Sequence, residues 1–364
     1  MPVPAPASSV TPLAVRFAQR ARVRARRERG LRVGLGAAAA LLALLAVAMP
    51  AFLLASARLT PGWQDIVLPL LAGSFKAAVY AVIVALPLGL GAAIWCARFA
   101  PPAWRAVLKP LFELFEAVPA VVLGLIAALL LAPWLARHVF GFAIFLVLLA
   151  PVLALAGMGW QRVAPLRWQR RWAGREVWLM LPPLLLAGAV ALWAGEQFAA
   201  TGLAALLQPQ TPWNGLVIGL MLGLAVMPTI FSLSEDALFA VPAELALGAQ
   251  ALGATRWQAL WRLLLPVAAP GIVAALLLGF SRALGETMIV LMASGNTPLL
   301  DASPLTGLRS IAANLALEAS EAAPGSAHYG LLLLSALLLF GLCLLLNALA
   351  EFVRGRLRQR LAGL

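Results

Sequence analysis

PAELALGAQALGATRWQALWRLLLPVAAPGIVAALLLGFSRALGETMIVLM, residues 242–292, decides how the chain is read. Its first half is short, polar-tipped and interrupted by Gly248 and Gly253, too charged and too broken to cross a bilayer. Its second half is a long apolar run that carries Arg282 and Glu286. Ionisable side chains inside a span are costly and mark function by default. A helix parked outside the membrane directly before such a span points to a device for moving something charged.

The rest of the chain supports a membrane setting. It has 364 residues, 63% of them hydrophobic, and a mean hydropathy of +0.95, well above a soluble domain. Apolar runs long enough for the ~30 Å hydrocarbon core lie near 33–57, 68–97, 112–135, 139–159, 177–195, 213–233, 264–292 and 330–350, which predicts eight spans. Pro87, Pro119, Pro151 and Pro270 fall inside them, which membrane helices tolerate because neighbours re-satisfy the freed backbone groups. The short alternating segments of a β-barrel are not visible.

A net charge of +13 in a soluble chain would suggest nucleic acid. Here 22 of the 27 lysines and arginines fall within 1–32, 98–111, 160–176, 234–263 and 351–364, which all face one side if the spans alternate. Arg58, Arg137 and Arg309 face the other; Lys76 and Arg282 lie inside spans. This asymmetry predicts cytoplasmic N- and C-termini and accounts for the charge without nucleic acid. The expected organisation is a disordered basic tail at 1–32, a first transmembrane helix at 33–57, a transmembrane body at 68–350 and a second tail at 351–364. The first apolar run is longer than a signal-peptide core, so it reads as uncleaved. Residues 139–195 form a hairpin around RVAPLRWQRRWAGREVW, a loop suited to lipid headgroups.

Several polar residues invite a role. Lys76 is expected to snorkel to the outer interface, and Glu113 and Glu116 to favour the start of the third span. Ser234 before Glu235 and Asp236 has the form of a helix start, and Pro242 followed by Glu244 that of a second one. Cys96 and Cys343 suggest neither a disulfide framework nor a metal site. His138 and His328 sit at loop edges with no partner nearby in sequence.

Gly253, ten residues before Leu263-x-Leu265-Pro266, resembles the cytoplasmic loop of permease subunits of ATP-binding-cassette importers, the EAA loop with its G-x9-I-x-L-P ending. The segments MPTIFSLSEDALFAVP, SRALGETMIVLMASGNTPL and FEAVPAVVLGLIA are similar to the PstC-type phosphate permeases within the binding-protein-dependent transport inner-membrane components. The resemblance covers most of residues 70–360, and RALGETM is its most specific part. It implies an all-α polytopic membrane protein, a type I ABC-importer permease bundle whose six-helix core is extended by the hairpin 139–195. It also implies a coupling loop at 234–263 in which Glu244, Gly253, Ala254, Leu265 and Pro266 engage an ATPase. Leu247 stands where the family's loop opens with glutamate, and the large extracytoplasmic domain of the longer relatives is reduced here to about ten residues.

The family also implies that Arg282, Glu286 and Thr287 line a phosphate pathway. On the residues alone, Arg282 and Glu286 are four apart and would share one helix face, so a structural ion pair that masks both charges is the competing reading. The arginine fork suits phosphate oxygens, and Glu286 could accept a hydrogen bond from the O–H that hydrogen phosphate carries and sulfate lacks. A Walker A loop is absent, since Lys76 precedes alanine and Lys109 precedes proline. The chain is therefore expected to bind no cofactor and to be no enzyme itself, with ATP held by a separate ATPase subunit dimer. The expected partners are that dimer, a second permease subunit of PstA type, a periplasmic phosphate-binding protein, inorganic phosphate and the lipid of a bacterial inner membrane. The alternatives are another oxyanion, an intramembrane phosphatase or transferase, which would need a nucleophile or metal cluster near Arg282, and a secondary transporter built from inverted repeats.

Overall fold

Inside lipid each backbone N–H and C=O must find its partner within the protein, which favours helices. The computed structural model describes residues 12–59, 61–165, 167–168, 177–201, 209 and 211–362, and these are helical apart from turns and one isolated bridge, Gly295 to Leu308. The chain divides into two units, residues 1–57 and 58–364.

The first unit holds one helix, α1 (Pro12–Ser56), whose apolar part Gly30–Ser56 is long enough to cross a membrane. The tail expected to be disordered over 1–32 is helical from Pro12 onward, in keeping with the strong helix propensity of its alanines and arginines. Residues 1–11 lie outside the described residues.

The second unit begins with α2 (Trp63–Arg98), α3 (Pro102–Glu116) and α4 (Ala120–Ile126), which passes through a π-helical turn at Ala127–Leu131 into α5 (Ala132–Val163). Next come α6 (Val177–Ala199), α7 (Gly215–Phe239), α8 (Ala243–Ala251) and α9 (Arg256–Ala259). A second π-helical turn, Leu260–Leu264, leads into α10 (Leu265–Leu284), followed by α11 (Met288–Ala293), α12 (Ile311–Glu318) and α13 (Ala327–Ala362). The expected tail at 351–364 continues α13 as far as Ala362.

Among the described residues seven helices are long and apolar enough to cross a membrane, where the sequence predicts eight. The expected third and fourth spans are joined into one helical run, Ala120–Trp160, in place of a loop at Arg137 and His138. At 1.5 Å per residue its 41 residues would rise about 62 Å, twice the core thickness. Its break is at His138, whose φ of −118° and ψ of 22° are not helical. There the ring Nδ1 lies 2.9 Å from the Trp134 carbonyl oxygen.

The centre of the second unit is the pair α2 and α7, packed parallel along a seam of small residues. Ala77, Ala81, Ala85 and Ala93 of α2 are fully or almost fully buried, and α7 presents Gly215, Gly219 and Gly223 at four-residue intervals. A Cβ added at Gly219 would lie 2.8 Å from the Tyr80 Cβ, and one at Gly223 would lie 2.7 Å from the Val84 Cβ. Within lipid such stripes let backbones approach and gain van der Waals contact where the hydrophobic effect offers none. The same alignment ends with Arg98 of α2 donating to the carbonyls of Leu238 and Val241 just beyond α7's core. Helix α10 packs against this pair and α13 packs against α10, and Ile218, Leu222, Ile230, Leu284 and Ile289 fill the space between elements.

At the opposite end of the bundle, residues 294–310 fold over the starts of α2 and α7. Gly215 and Leu216 donate backbone N–H bonds to the Thr306 and Pro304 carbonyls, and Asn214 caps α7 through its side-chain oxygen. Lys76 does not snorkel outward: it is only 8% exposed, and its Nζ donates to the Thr306 hydroxyl at 2.8 Å. Tyr80 donates to the Ala302 carbonyl, and the Thr306 hydroxyl donates to Asp301 at 2.7 Å. Bonds from the Ser303 backbone and the Thr306 hydroxyl hold the Asp301 carboxyl below its usual 3.8.

Candidate substrate pathway and coupling surface

The apolar run after residue 264 is not one continuous helix. Pro266 begins α10 after the π-helical turn, and α10 stops at Leu284. Gly285 and Glu286 close it with backbone bonds to Ser281 and Ala283, and α11 restarts at Met288 after Thr287. A second break lies alongside, because α3 ends at Glu116 and Pro119 prevents the helix from running on into α4. Helices α4 and α11 pack together past these interruptions, and a Cβ at Gly124 would come 3.0 Å from the Met288 carbonyl oxygen.

Arg282 sits in the last turn of α10, where the helix dipole favours a cation. Its partner is not Glu286. The guanidinium Nη1 forms an ion pair with Glu116 and donates to the Thr229 hydroxyl at 2.7 Å, and that hydroxyl donates on to Glu116 at 3.2 Å. The three residues come from α10, α3 and α7. Both charged side chains remain partly open, at 36% for Arg282 and 42% for Glu116. The expected shared face of Arg282 and Glu286 fails because α10 ends between them. Glu286 is half-buried in the break and makes no side-chain hydrogen bond or ion pair among the described residues. Thr287 is also half-buried, and its hydroxyl lies 3.5 Å from the Gly285 carbonyl oxygen.

Glu116, expected to do no more than favour a helix start, is thus the ionic partner of Arg282, while Glu113 is exposed. The available signal was electrostatic: an arginine and a glutamate in two separate apolar runs each lower their cost by meeting.

Helix α3 is tied at its other end as well. Glu235, fully buried in the last turn of α7, pairs with Arg105 and with Lys109 at 3.2 Å, and Lys109 also reaches Asp236 at 3.1 Å. Arg105 lies over the Phe239 ring, 3.8 Å from its centroid. The helix start expected at Ser234 is absent, because α7 runs through it to Phe239 and the Ser234 hydroxyl is buried without a hydrogen-bond partner. Burial works against the Lys109 ammonium, but its bonds to Asp236 and Glu235 hold its pKa above the usual 10.5.

Three residues past α7, the expected second start is present: Pro242 is the N-cap of α8 and Glu244 lies in its first turn. The helix ends in a Schellman motif, with Ala254 N–H donating to the Ala249 carbonyl and Gly253 N–H to the Gln250 carbonyl. That closure puts Gly253 at a φ of +91°, the left-handed region that favours glycine. Thr255 and Gln258 then form a capping box that starts α9. Helix α8 exposes Glu244 and Leu247, and the turn after it exposes Leu252 at 91%. Ala254 and Leu265 are half-buried and Pro266 is exposed. From α9 through the π-helical turn into α10 the helical run is unbroken, so the exposed turn at Gly253 is connected by a single rod to Arg282.

Discontinuous helices around an interior charge, together with a short exposed helix at one end of the bundle, define a polytopic transport permease. Residues 175–359 match the family model described as binding-protein-dependent transport system inner membrane component, and the chain belongs to that family. It is 28% identical over 290 residues to the probable ABC transporter permease protein YqgH of Bacillus subtilis, covering 80% of this chain and 72% of that one. The phosphate transport system permease protein PstC 1 of Mycobacterium tuberculosis is 30% identical over 300 residues, covering 80% and 72%. PstC of Xylella fastidiosa strain Temecula1 is 27% identical over 285 residues, covering 78% and 71%. The chain is an integral, multi-pass, all-helical permease with the type I ABC-importer fold.

Proposed function

We propose that this permease carries inorganic phosphate across a bacterial inner membrane, as the membrane-spanning subunit of an ATP-driven importer. The observation that carries the reading is Arg282, a partly open guanidinium in an interior helix break, on the rod that begins at the exposed turn of α8 and α9. Arginine's planar fork suits a tetrahedral oxyanion, and phosphate is the cargo named for several relatives.

A separate ATPase dimer grips the exposed face of Glu244, Leu247 and Leu252, while a periplasmic binding protein delivers the anion at the end capped by residues 294–310. The N- and C-termini lie in the cytoplasm with α8, and a second permease subunit of PstA type completes the path. Closure of the ATPases displaces α8. Since α9, the π-helical turn and α10 are continuous, the displacement moves Arg282 and opens the route inward. Glu286, which makes no ion pair among the described residues, accepts a hydrogen bond from the O–H of hydrogen phosphate and repels fully ionised sulfate, which has no such donor.

The test is reconstitution of this chain with its ATPase, partner permease and binding protein in liposomes. ATP-dependent accumulation of phosphate, but not sulfate, is the expected result. Accumulation of sulfate with equal efficiency would contradict the assignment of cargo, and phosphate accumulation without ATPase subunits would contradict the assignment of mechanism.

A further inference from the structure

The guanidinium that would receive the substrate is already held by an anion belonging to the protein. Glu116 presents one carboxylate oxygen to Arg282 Nη1, and Thr229 bridges the two by accepting from Arg282 and donating to Glu116. Of the five donors on an arginine fork, only those on Nη1 are engaged among the described residues. The other edge of Arg282 is not paired with a carboxylate among the described residues. A one-sided contact of this kind holds the arginine without offering it the two-point geometry in which guanidinium binds carboxylate and phosphate best.

Charge adds a second constraint. Glu116 already supplies a negative charge to Arg282, and Glu286, which makes no ion pair among the described residues, follows in the break after α10. An incoming phosphate cannot share Arg282 closely with an ionised Glu116, because like charges at contact distance repel strongly away from bulk water.

We propose that Glu116 is a built-in competitor for the substrate anion, one that holds Arg282 in the empty permease and must be displaced when phosphate binds. This rests on the reading that Arg282 lines the phosphate route. The competitor keeps an unpaired arginine out of the bilayer interior between transport cycles, and it weakens phosphate binding enough for release. Glu116 can move because it is the last residue of α3, beside the break at Ala117–Pro119, and its side chain is 42% exposed. It is a specificity- and affinity-setting residue, while Arg282 makes the contact with substrate.

The experiment is equilibrium binding of radiolabelled inorganic phosphate to the assembled importer without nucleotide or binding protein. Wild type, Glu116→Gln, Glu116→Ala and Arg282→Gln are compared, with subunit assembly checked by size exclusion. Removing the competitor's charge should tighten phosphate binding by about tenfold in either Glu116 variant, so one that fails to assemble leaves the other to decide; Arg282→Gln should abolish binding. If the Glu116 variants bind phosphate as wild type does, or more weakly, while Arg282→Gln abolishes binding, the competitor role is overturned and Glu116 is a structural partner only. Should Arg282→Gln bind phosphate normally, the assignment of the pathway itself falls, and the competitor with it.

Discussion

Arg282 and Glu116 lie 166 residues apart in the chain and meet as an ion pair where two helices break side by side. Each belongs to a different helix, α10 and α3, and Thr229 of α7 joins them. On insertion scales an arginine at the centre of a span costs about 2.5–3.5 kcal/mol, and pairing with Glu116 reduces that penalty. Two of these helices, α3 and α7, also meet towards the other end of α3, where Glu235 holds Arg105 and Lys109.

The seam between α2 and α7, the helix that carries Thr229 and Glu235, is packed too closely to take added volume without cost. Gly223→Ala would place a methyl group 2.7 Å from the Val84 Cβ and 2.9 Å from the Ala81 carbonyl oxygen. Overpacking of this kind typically costs about 1–3 kcal/mol. Thermal unfolding of the detergent-purified protein should show a lower Tm for Gly223→Ala, whereas Gly91→Ala, where an added Cβ meets nothing within 4 Å, should leave it nearly unchanged.

Glu235 is the buried hub of the α3–α7 junction. Glu235→Gln keeps the shape but removes the charge that two cations share, and leaving such groups under-satisfied costs roughly 1–3 kcal/mol; the low end applies because Arg105 and Lys109 are 30% and 37% exposed. The pH dependence follows from Lys109, whose pKa is raised in the folded state. Its contribution to stability is fully present below 10.5 and is lost as pH rises through the higher folded value. Unfolding followed from pH 8 to pH 12 should therefore show a loss of stability above pH 10.5 that is smaller in Lys109→Met.

Gly253 has open space around it, so its requirement is conformational rather than steric. A residue with a Cβ held at φ +91° is strained by roughly 1–2 kcal/mol, and Gly253→Ala should release the Schellman closure. Bundle stability should hardly change while ATPase activity coupled to transport falls severalfold, and Gly253→Asn should recover part of it because asparagine tolerates positive φ better. Equal loss in the alanine and asparagine variants would point instead to a contact made by the glycine backbone.

Local chemistry made the exposed turn between α8 and α9 legible in the sequence. Pro242 and Glu244 start a helix, Gly253 ends it, and Pro266 begins the next long one, each acting on its own few residues. The break after Leu284 was harder to foresee, since GETM carries no proline and its glycine favours a break without requiring one. Contacts made across the chain were not legible either. Lys76 finds Thr306, 230 residues away, and Glu235 finds Arg105 and Lys109 at separations of 130 and 126. The four-residue spacing of Gly215, Gly219 and Gly223 was a readable packing signal that the span pattern alone did not use. At Arg137 and His138 a polar dipeptide within apolar sequence looked like a loop, but without a glycine there the backbone kinks and remains helical on either side.

Phosphate uptake by Arg282→Gln is the most direct test of the central claim. The variant is shorter but keeps some hydrogen bonding while removing the cation, and its insertion and ATPase binding can be checked independently. Loss of ATP-driven phosphate uptake by at least about a hundredfold, roughly 2.7 kcal/mol at the rate-limiting barrier, with normal assembly is the result predicted. Uptake at the wild-type rate in a properly assembled Arg282→Gln importer would contradict the account.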